Sequence, residues 1–153
     1  MMKIQKMSEE DARIICSWQY SDEYSIYNYP SWDNIVANNW AIADSNKRDL
    51  QFRKIVGNDN YLIGYFRFVK NNDKISIGLG MNPEICGHGN GNEFIKTILS
   101  YKELKNSVIE LEVRTFNKRA INCYLDCGFE IISKEFKKSE IGDDEFYIMH
   151  KNN

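Results

Sequence analysis

The stretch Gly78-Leu79-Gly80-Met81-Asn82-Pro83-Glu84-Ile85-Cys86-Gly87-His88-Gly89-Asn90-Gly91-Asn92-Glu93-Phe94 decides how this chain is read. Its first residues end a strand that begins at Lys74, and Pro83 forces a turn. Three glycines then alternate just before a helix whose apolar face is Phe94, Ile95, Ile98 and Leu99. Glycine has no Cβ, so alternating glycines let successive backbone N–H groups point into one concavity. The helix behind them adds unpaired N–H groups and the positive end of its dipole. The product is a diphosphate cradle made from the backbone of Gly87, His88, Gly89, Asn90, Gly91 and Asn92. A Walker loop would need Gly-Lys-Ser/Thr, and no lysine is present here. A dinucleotide fingerprint would read G-x-G-x-x-G within a parallel βαβ unit. The spacing here is G-x-G-x-G, after a strand of a meander.

Upstream, Ile4 lies in a short extended segment. Ser8-Glu9-Glu10-Asp11 reads as a helix start, with Ser8 as the cap and acids where the dipole favours them. Ala12, Ile15, Cys16 and Trp18-Gln19 follow one helical face. An aromatic run follows (Trp18, Tyr20, Tyr24, Tyr27, Tyr29, Trp32), broken at Pro30, and a second helix is expected from Trp32 to about Ala43. From Gln51 the period shortens. Gln51–Val56, Tyr61–Val69 and Lys74–Met81 read as a three-stranded antiparallel meander, turned at Asn58-Asp59-Asn60 and Asn71-Asn72-Asp73. Past the loop and its helix come a strand (Val108–Thr115), a helix (Lys118–Asp126) and two closing strands (Phe129–Phe136, Glu145–His150). The expected fold class is α/β, a mixed, mostly antiparallel central sheet with flanking helices.

A second cluster lies on that later helix. Asn117, Ala120 and Tyr124 fall at i, i+3 and i+7 and so share a face. Gly128 is expected to cap the helix in the left-handed conformation before Phe129 opens the next strand. A small residue at Ala120 lets a slender ligand pass close to the helix, and Tyr124 sets a phenol beside it.

In this order and separation, the two clusters resemble the GNAT superfamily of N-acetyltransferases. The motifs cover roughly Lys74 to Phe129, and the element order extends the likeness to almost the whole chain. The family loop Arg/Gln-x-x-Gly-x-Gly/Ala is matched by Gly89 and Gly91, and Asn-x-x-Ala-x-x-x-Tyr-x-x-x-Gly-Phe by Asn117, Ala120, Tyr124, Gly128 and Phe129. Cys86 is the departure, since a long polar side chain is usual there, and His88 stands where lysine is frequent. The resemblance implies the GNAT-like (acyl-CoA N-acyltransferase) fold, with acetyl-CoA as co-substrate held by Leu79, Gly80, Met81, the loop from Cys86 to Asn92, Asn117, Ala120 and Tyr124. It implies direct acetyl transfer to a primary amine of a small molecule or peptide. Tyr124 is the expected general acid for the departing thiolate, and a backbone N–H around Leu79 to Met81 the expected oxyanion donor. Relatives carry a glutamate on the strand leading into the loop. Here Ile75, Ser76 and Ile77 occupy that region, and Asp73, Glu84 and Glu112 are open alternatives for the base. Trp18, Tyr20, Tyr27 and Tyr29 are candidates for the acceptor wall, with packing between helices and sheet as the other reading. Two alternatives stay open: a non-catalytic CoA-binding regulatory module of the same fold, and a phosphate-binding domain unrelated to CoA.

Composition bounds the remaining classes. At 153 residues the chain suits one domain, expected to span 1–153. A net charge of -2 gives no general grip on nucleic acid or an acidic membrane. The N-terminus M-M-K-I-Q-K-M-S-E-E-D has no apolar signal region, so a cytoplasmic protein is expected. Cys16, Cys86, Cys123 and Cys127 lack zinc or redox spacing, so reduced thiols and no metal are expected. A homodimer through the closing strands is left open.

Overall fold

A capping box starts the first helix as the sequence predicts. Ser8 Oγ accepts from the Asp11 N–H at 3.1 Å, and the Asp11 carboxylate accepts the Ser8 N–H at 2.9 Å. The computed structural model describes residues 1–139 and 142–153. Along it run β1 (Lys3–Lys6), α1 (Glu9–Cys16), α2 (Trp32–Ala37), α3 (Ser45–Gln51), β2 (Phe52–Val56), β3 (Leu62–Asn71) and β4 (Lys74–Met81). Then follow α4 (Gly91–Leu99), β5 (Val108–Arg114), α5 (Lys118–Asp126), β6 (Glu130–Ser139) and β7 (Gly142–Asn152). The strands form one seven-stranded sheet in the order β1-β2-β3-β4-β5-β7-β6. Pairings β1–β2, β2–β3, β5–β7 and β6–β7 are antiparallel, while β4–β5 is parallel. That is the mixed, mostly antiparallel sheet expected.

The chain gathers into two compact units: Met1–Arg67 with Leu79–Cys86, and Phe68–Gly78 with Gly87–Asn153. Strands β3 and β4 each contribute residues to both. In the first unit, Met7, Ala12, Ile15, Cys16, Ile35, Ile42 and Phe52 form a buried core, with Trp18, Tyr29, Trp32 and Tyr65 packed on it. Each fully buried Ile or Phe contributes about 1.5–3 kcal/mol relative to exposure. In the second unit, α4 buries Phe94, Ile95, Ile98 and Leu99, the face read from the sequence. The parallel ladder from β4 to β5 comprises Lys74↔Val108, Ile75↔Ile109 and Ser76↔Glu110, and ends there.

Several boundaries differ from expectation. The helix expected over 32–43 stops at Ala37, because Asn39 takes a left-handed φ of 55° and the Trp40 N–H turns back to the Ile35 carbonyl at 3.1 Å. This is the six-to-one closure of a Schellman end, with asparagine in the glycine position. A 3-10 turn at Ala41–Ala43 follows. Helix α3 was not anticipated: its sequence, SNKRDLQ, has no apolar stripe, and Leu50 is exposed. It is fixed by the Asp44 cap and by buried Arg48, whose guanidinium donates to the Ile42 carbonyl at 3.0 Å. Gln51 accordingly ends a helix rather than opening a strand, and Trp18-Gln19 lie beyond the end of α1. The two closing strands are longer than expected.

The capping box has a pH signature. Burial works against ionised Asp11, but the Ser8 N–H, Lys54 and the Ser8 hydroxyl outweigh it and lower its pKa. A lowered folded-state pKa adds stability above the ordinary carboxylate value of about 3.9, lost as pH falls through the folded value. We expect Ser8→Ala to cost about 1 kcal/mol in urea unfolding at pH 7. Asp11→Asn should flatten the loss of stability on acidification below pH 5, about one unit above that reference value. A wild-type slope in Asp11→Asn would contradict the assignment.

Candidate functional site

The glycine loop and the Asn117–Tyr124 helix, read separately from sequence, come together in the second unit. Gly87 and Gly89 hold φ values of +79° and +82°, a region that disfavours any side chain. Gly91 opens α4 under a different constraint: a Cβ there would lie 2.7 Å from Cys123 Sγ on α5. Asn92 Nδ2 donates to Asp126 at 3.3 Å, and the Cys127 thiol reaches the Asn92 carbonyl at 3.7 Å. The hydrogen-bonded turn ends at Gly87, and among the described residues none of the backbone N–H groups from Gly89 to Glu93 donates to a backbone carbonyl. The first to do so is Phe94, to Asn90 at 3.1 Å. A run of unspent donors thus precedes the helix dipole, and His88 stands exposed beside it.

On α5, Asn117 caps the helix, its Oδ1 accepting from the Ala120 N–H at 3.2 Å. Ala120 is half-buried. Tyr124 is buried at 7% exposure and meets Phe129 edge-on, the ring centroids 5.7 Å apart. Gly128, with φ +97°, closes the helix: its N–H bonds Leu125, and the Phe129 N–H returns to the Tyr124 carbonyl at 3.0 Å. The expected left-handed cap is therefore present, and it fixes Tyr124 and Phe129 together. One side chain escaped the sequence reading. Arg119 Nη1 would lie 3.1 Å from a Cβ at Gly87.

The first unit holds the aromatic residues and the end of β4. The Tyr20 hydroxyl donates to the Met81 carbonyl at 2.7 Å, and the Cys86 thiol approaches the same oxygen at 3.5 Å. Tyr65 lies so close to Gly80 that a Cβ there would sit 2.5 Å from its ring. Tyr29 and Tyr65 share a hydroxyl–hydroxyl bond of 2.7 Å, and Trp18 and Trp40 ring them at 6.5 and 5.8 Å, from Tyr65 and Tyr29 respectively. Leu79 is half-buried. Tyr27 lies exposed on the 3-10 segment Asp22–Tyr27. A cleft of about 280 Å³ is lined by Arg13, Cys16, Gln19, Tyr29 and Trp32, among others, so Tyr29 joins a recess while Tyr20 serves the β4 end.

Burial dominates the acid–base character here. It raises the phenols of Tyr20, Tyr29 and Tyr65 above their ordinary value, and Cys86 and Tyr29 add to the shift of Tyr20. Burial also pushes the Cys16 thiol up to about 11. These groups stay neutral near pH 7 and line the region as hydrogen-bonding, uncharged surface.

Sequence reasoning also missed Asn82, 92% buried, which donates to the Leu62 carbonyl at 2.9 Å and accepts from the Glu84 N–H at 3.0 Å. The Asn82-Pro83 step was its signal, since Asn before a turn commonly bonds the backbone two residues on. Of the open alternatives for the base, Glu84 accepts from the Tyr61 hydroxyl at 2.7 Å and Glu112 pairs with Lys137 at 2.6 Å, while Asp73 lies exposed in the β3–β4 turn. Glu110 binds His150 at 2.7 Å and Lys74 at 3.2 Å, a pairing set by the register Glu110↔His150.

Comparison with known proteins places these motifs. The model of the acetyltransferase (GNAT) family matches residues 10–129. No curated protein sequence matches the chain. Among solved structures, a chimera of the Vibrio cholerae spermidine N-acetyltransferase SpeG with hSSAT superposes with TM-score 0.77 at 20% identity, covering 99% of this chain and 95% of that one. An acetyltransferase of the GNAT family from Bacillus anthracis gives 0.73 at 18% identity, covering 97% and 93%. The ribosomal-protein-S18-alanine N-acetyltransferase from Escherichia coli gives 0.68 at 16%, covering 99% and 93%. At these identities the likeness is one of fold. No helix among the described residues is long and apolar enough to cross a membrane.

The two glycine constraints separate in a double-mutant cycle. Gly91→Ala should cost about 1–3 kcal/mol by overpacking Cys123, and adding Cys123→Ala should return most of it. Nothing lies within 4 Å of a Cβ at Gly89. Gly89→Ala should therefore cost about 1–2 kcal/mol from its left-handed φ alone, with no rescue by Cys123→Ala. Denaturant melts of the six proteins, Cys123→Ala alone included, read both outcomes, and rescue at both positions would refute the contact as the cause.

Proposed function

Because the chain belongs to the acetyltransferase (GNAT) family, whose co-substrate is acetyl-CoA, we propose that it moves an acetyl group from acetyl-CoA directly to a primary amine of a small molecule or peptide. The observation that carries this reading is the run of unspent N–H donors from Gly89 to Glu93 ahead of α4. Such a run, opened by two left-handed glycines, suits a diphosphate better than any other common ligand. Gly87 to Asn92 would hold the diphosphate through the main chain. Asn117, already spent on the Ala120 N–H, would keep the first turn of α5 shaped for the pantetheine arm, and Ala120 would leave it room.

Direct transfer needs a neutral amine, a polarised carbonyl and a proton for the leaving thiolate. A lysine-like amine has a pKa of about 10.4, so about one molecule in 10³ is neutral at pH 7. A base or a water chain must take the second proton as the C–N bond forms. Burial raises the pKa of the Tyr20, Tyr29 and Tyr65 phenols and keeps them protonated near pH 7, so they offer no phenolate to act as base, and we assign them to shaping the acceptor side with Trp18. A backbone N–H of Leu79, Gly80 or Met81 would polarise the thioester carbonyl. Tyr124 would donate its phenolic proton to the CoA thiolate as the C–S bond breaks. The fold neighbours named for spermidine and for a ribosomal-protein alanine both act on amines, which supports an amine acceptor here without choosing between polyamine and peptide.

A second reading, a CoA-binding module without turnover, draws support from Cys86 in place of the long polar residue and from buried Ile75 and Ile77 where a carboxylate would be useful. A thiol-release assay with acetyl-CoA separates the two. Spermidine, alanyl peptides and small amines serve as acceptors, and the transferase reading expects CoA release well above the buffer rate with at least one of them. Tyr124→Phe should lower kcat by about 10²-fold or more. Unchanged kcat would remove Tyr124 as the acid. Acetyl-CoA near 100 Kd should stabilise the folded chain by about 2.7 kcal/mol under either reading, and its failure to do so would defeat both.

A further inference from the structure

We propose that Arg119 supplies the positive charge of the diphosphate site, delivered from α5 rather than from the loop. The proposal rests on the acetyl-CoA reading above and names the side chain that completes it. A diphosphate carries at least two negative charges, and main-chain donors with a helix dipole balance only part of that. From Met81 to Phe94 the loop holds two acids, Glu84 and Glu93, and no lysine or arginine. Cys86, at the position of the usual long polar side chain, turns its thiol to the Met81 carbonyl.

Arg119 meets this need from the neighbouring helix. Its Nη1 would lie 3.1 Å from a Cβ at Gly87, so the guanidinium lies beside the residue that opens the loop. Both Gly87 and Arg119 are exposed, which leaves the pair open to a ligand from solvent. A second observation is independent of that contact. The first turn of α5 holds Lys118 and Arg119 and no acidic residue, whereas a helix N-terminus favours acids by about 0.3–1 kcal/mol each. The sequence thus accepts a small local cost that a bound anion would reverse. Guanidinium also fits the task, since its planar fork can bond two phosphate oxygens at once. In this arrangement Gly87 is glycine for two reasons: its left-handed φ, and the space that the guanidinium occupies.

Calorimetric titration of the full chain with CoA, and with dephospho-CoA lacking the 3′-phosphate, tests the proposal. Wild type should bind both. Arg119→Ala should weaken both about 10- to 100-fold, the scale of hydrogen bonds to a charged group. Its affinity should also fall less steeply with salt, and Arg119→Lys should recover part of the loss. Arg119→Gln, which keeps the stem, repeats the measurement should Arg119→Ala fail to fold. Wild-type affinity for CoA in a folded Arg119→Ala or Arg119→Gln protein would overturn the inference and leave the acetyltransferase reading standing. A loss seen with CoA but absent with dephospho-CoA would also overturn it, by moving Arg119 to the 3′-phosphate. Failure of wild type to bind either ligand would take both proposals down together.

Discussion

Gly91 lies against the sulfur of Cys123 with no space for a Cβ, and the second unit is organised around that contact. It holds the first turn of α4 on α5, so the free N–H groups of the loop and the face carrying Asn117, Ala120 and Tyr124 become parts of one surface. Asn92 with Asp126, and Cys127 with the Asn92 carbonyl, repeat the contact one turn further along. A main chain aimed in this way needs no reorganisation to receive an anion, which is the condition for backbone donors to count at full strength. The three glycines therefore do three separate things. Gly87 and Gly89 supply left-handed turns, and Gly91 supplies proximity.

The first unit solves a different problem. Phenols are expensive to bury unpaired, costing about 1–3 kcal/mol each on mutational scales. Tyr20 is satisfied by the Met81 carbonyl, and Tyr29 and Tyr65 satisfy each other. Those same bonds fix the end of β4, because Tyr20 holds its last carbonyl and the Tyr65 ring leaves only glycine at position 80. Tyr20, Tyr29 and Tyr65 are thus held in place by their own hydrogen bonds, and their neutrality makes the surface they present polar without charge.

Legibility followed the source of each element's stability. Where the signal is local it was readable. Ser8 and Asp11 announce α1, the apolar face of α4 reads as Phe94, Ile95, Ile98 and Leu99, and Gly128 marks the end of α5. Where stability comes from a distant partner the pattern is silent. Helix α3 is anchored by Arg48 on the Ile42 carbonyl, a polar tether that no hydrophobic period reveals. Asn39 stops α2 in a left-handed conformation that asparagine tolerates and glycine advertises, so the residue type understated the break. The Glu110–His150 pair depends on strand register across 40 residues, which composition cannot supply. At the candidate site the loop and the α5 motif were legible because their residue types are forced by backbone geometry. Arg119 was not, because an arginine in a helix ordinarily reads as solvated surface.

That asymmetry explains how the loop can tolerate Cys86. A site whose binding power came from side chains would be damaged by replacing a long polar group with a small thiol. Under the proposed acetyl-CoA reading the directional part of recognition would lie in main-chain N–H groups, whose positions depend on φ at Gly87 and Gly89 and on the Gly91–Cys123 contact. Directional bonds must come from a rigid source, whereas charge acts over several ångströms and can be delivered from any nearby element. On that reading position 86 is free to drift so long as another residue supplies the cation, and position 91 is not, because only glycine leaves the space that Cys123 fills.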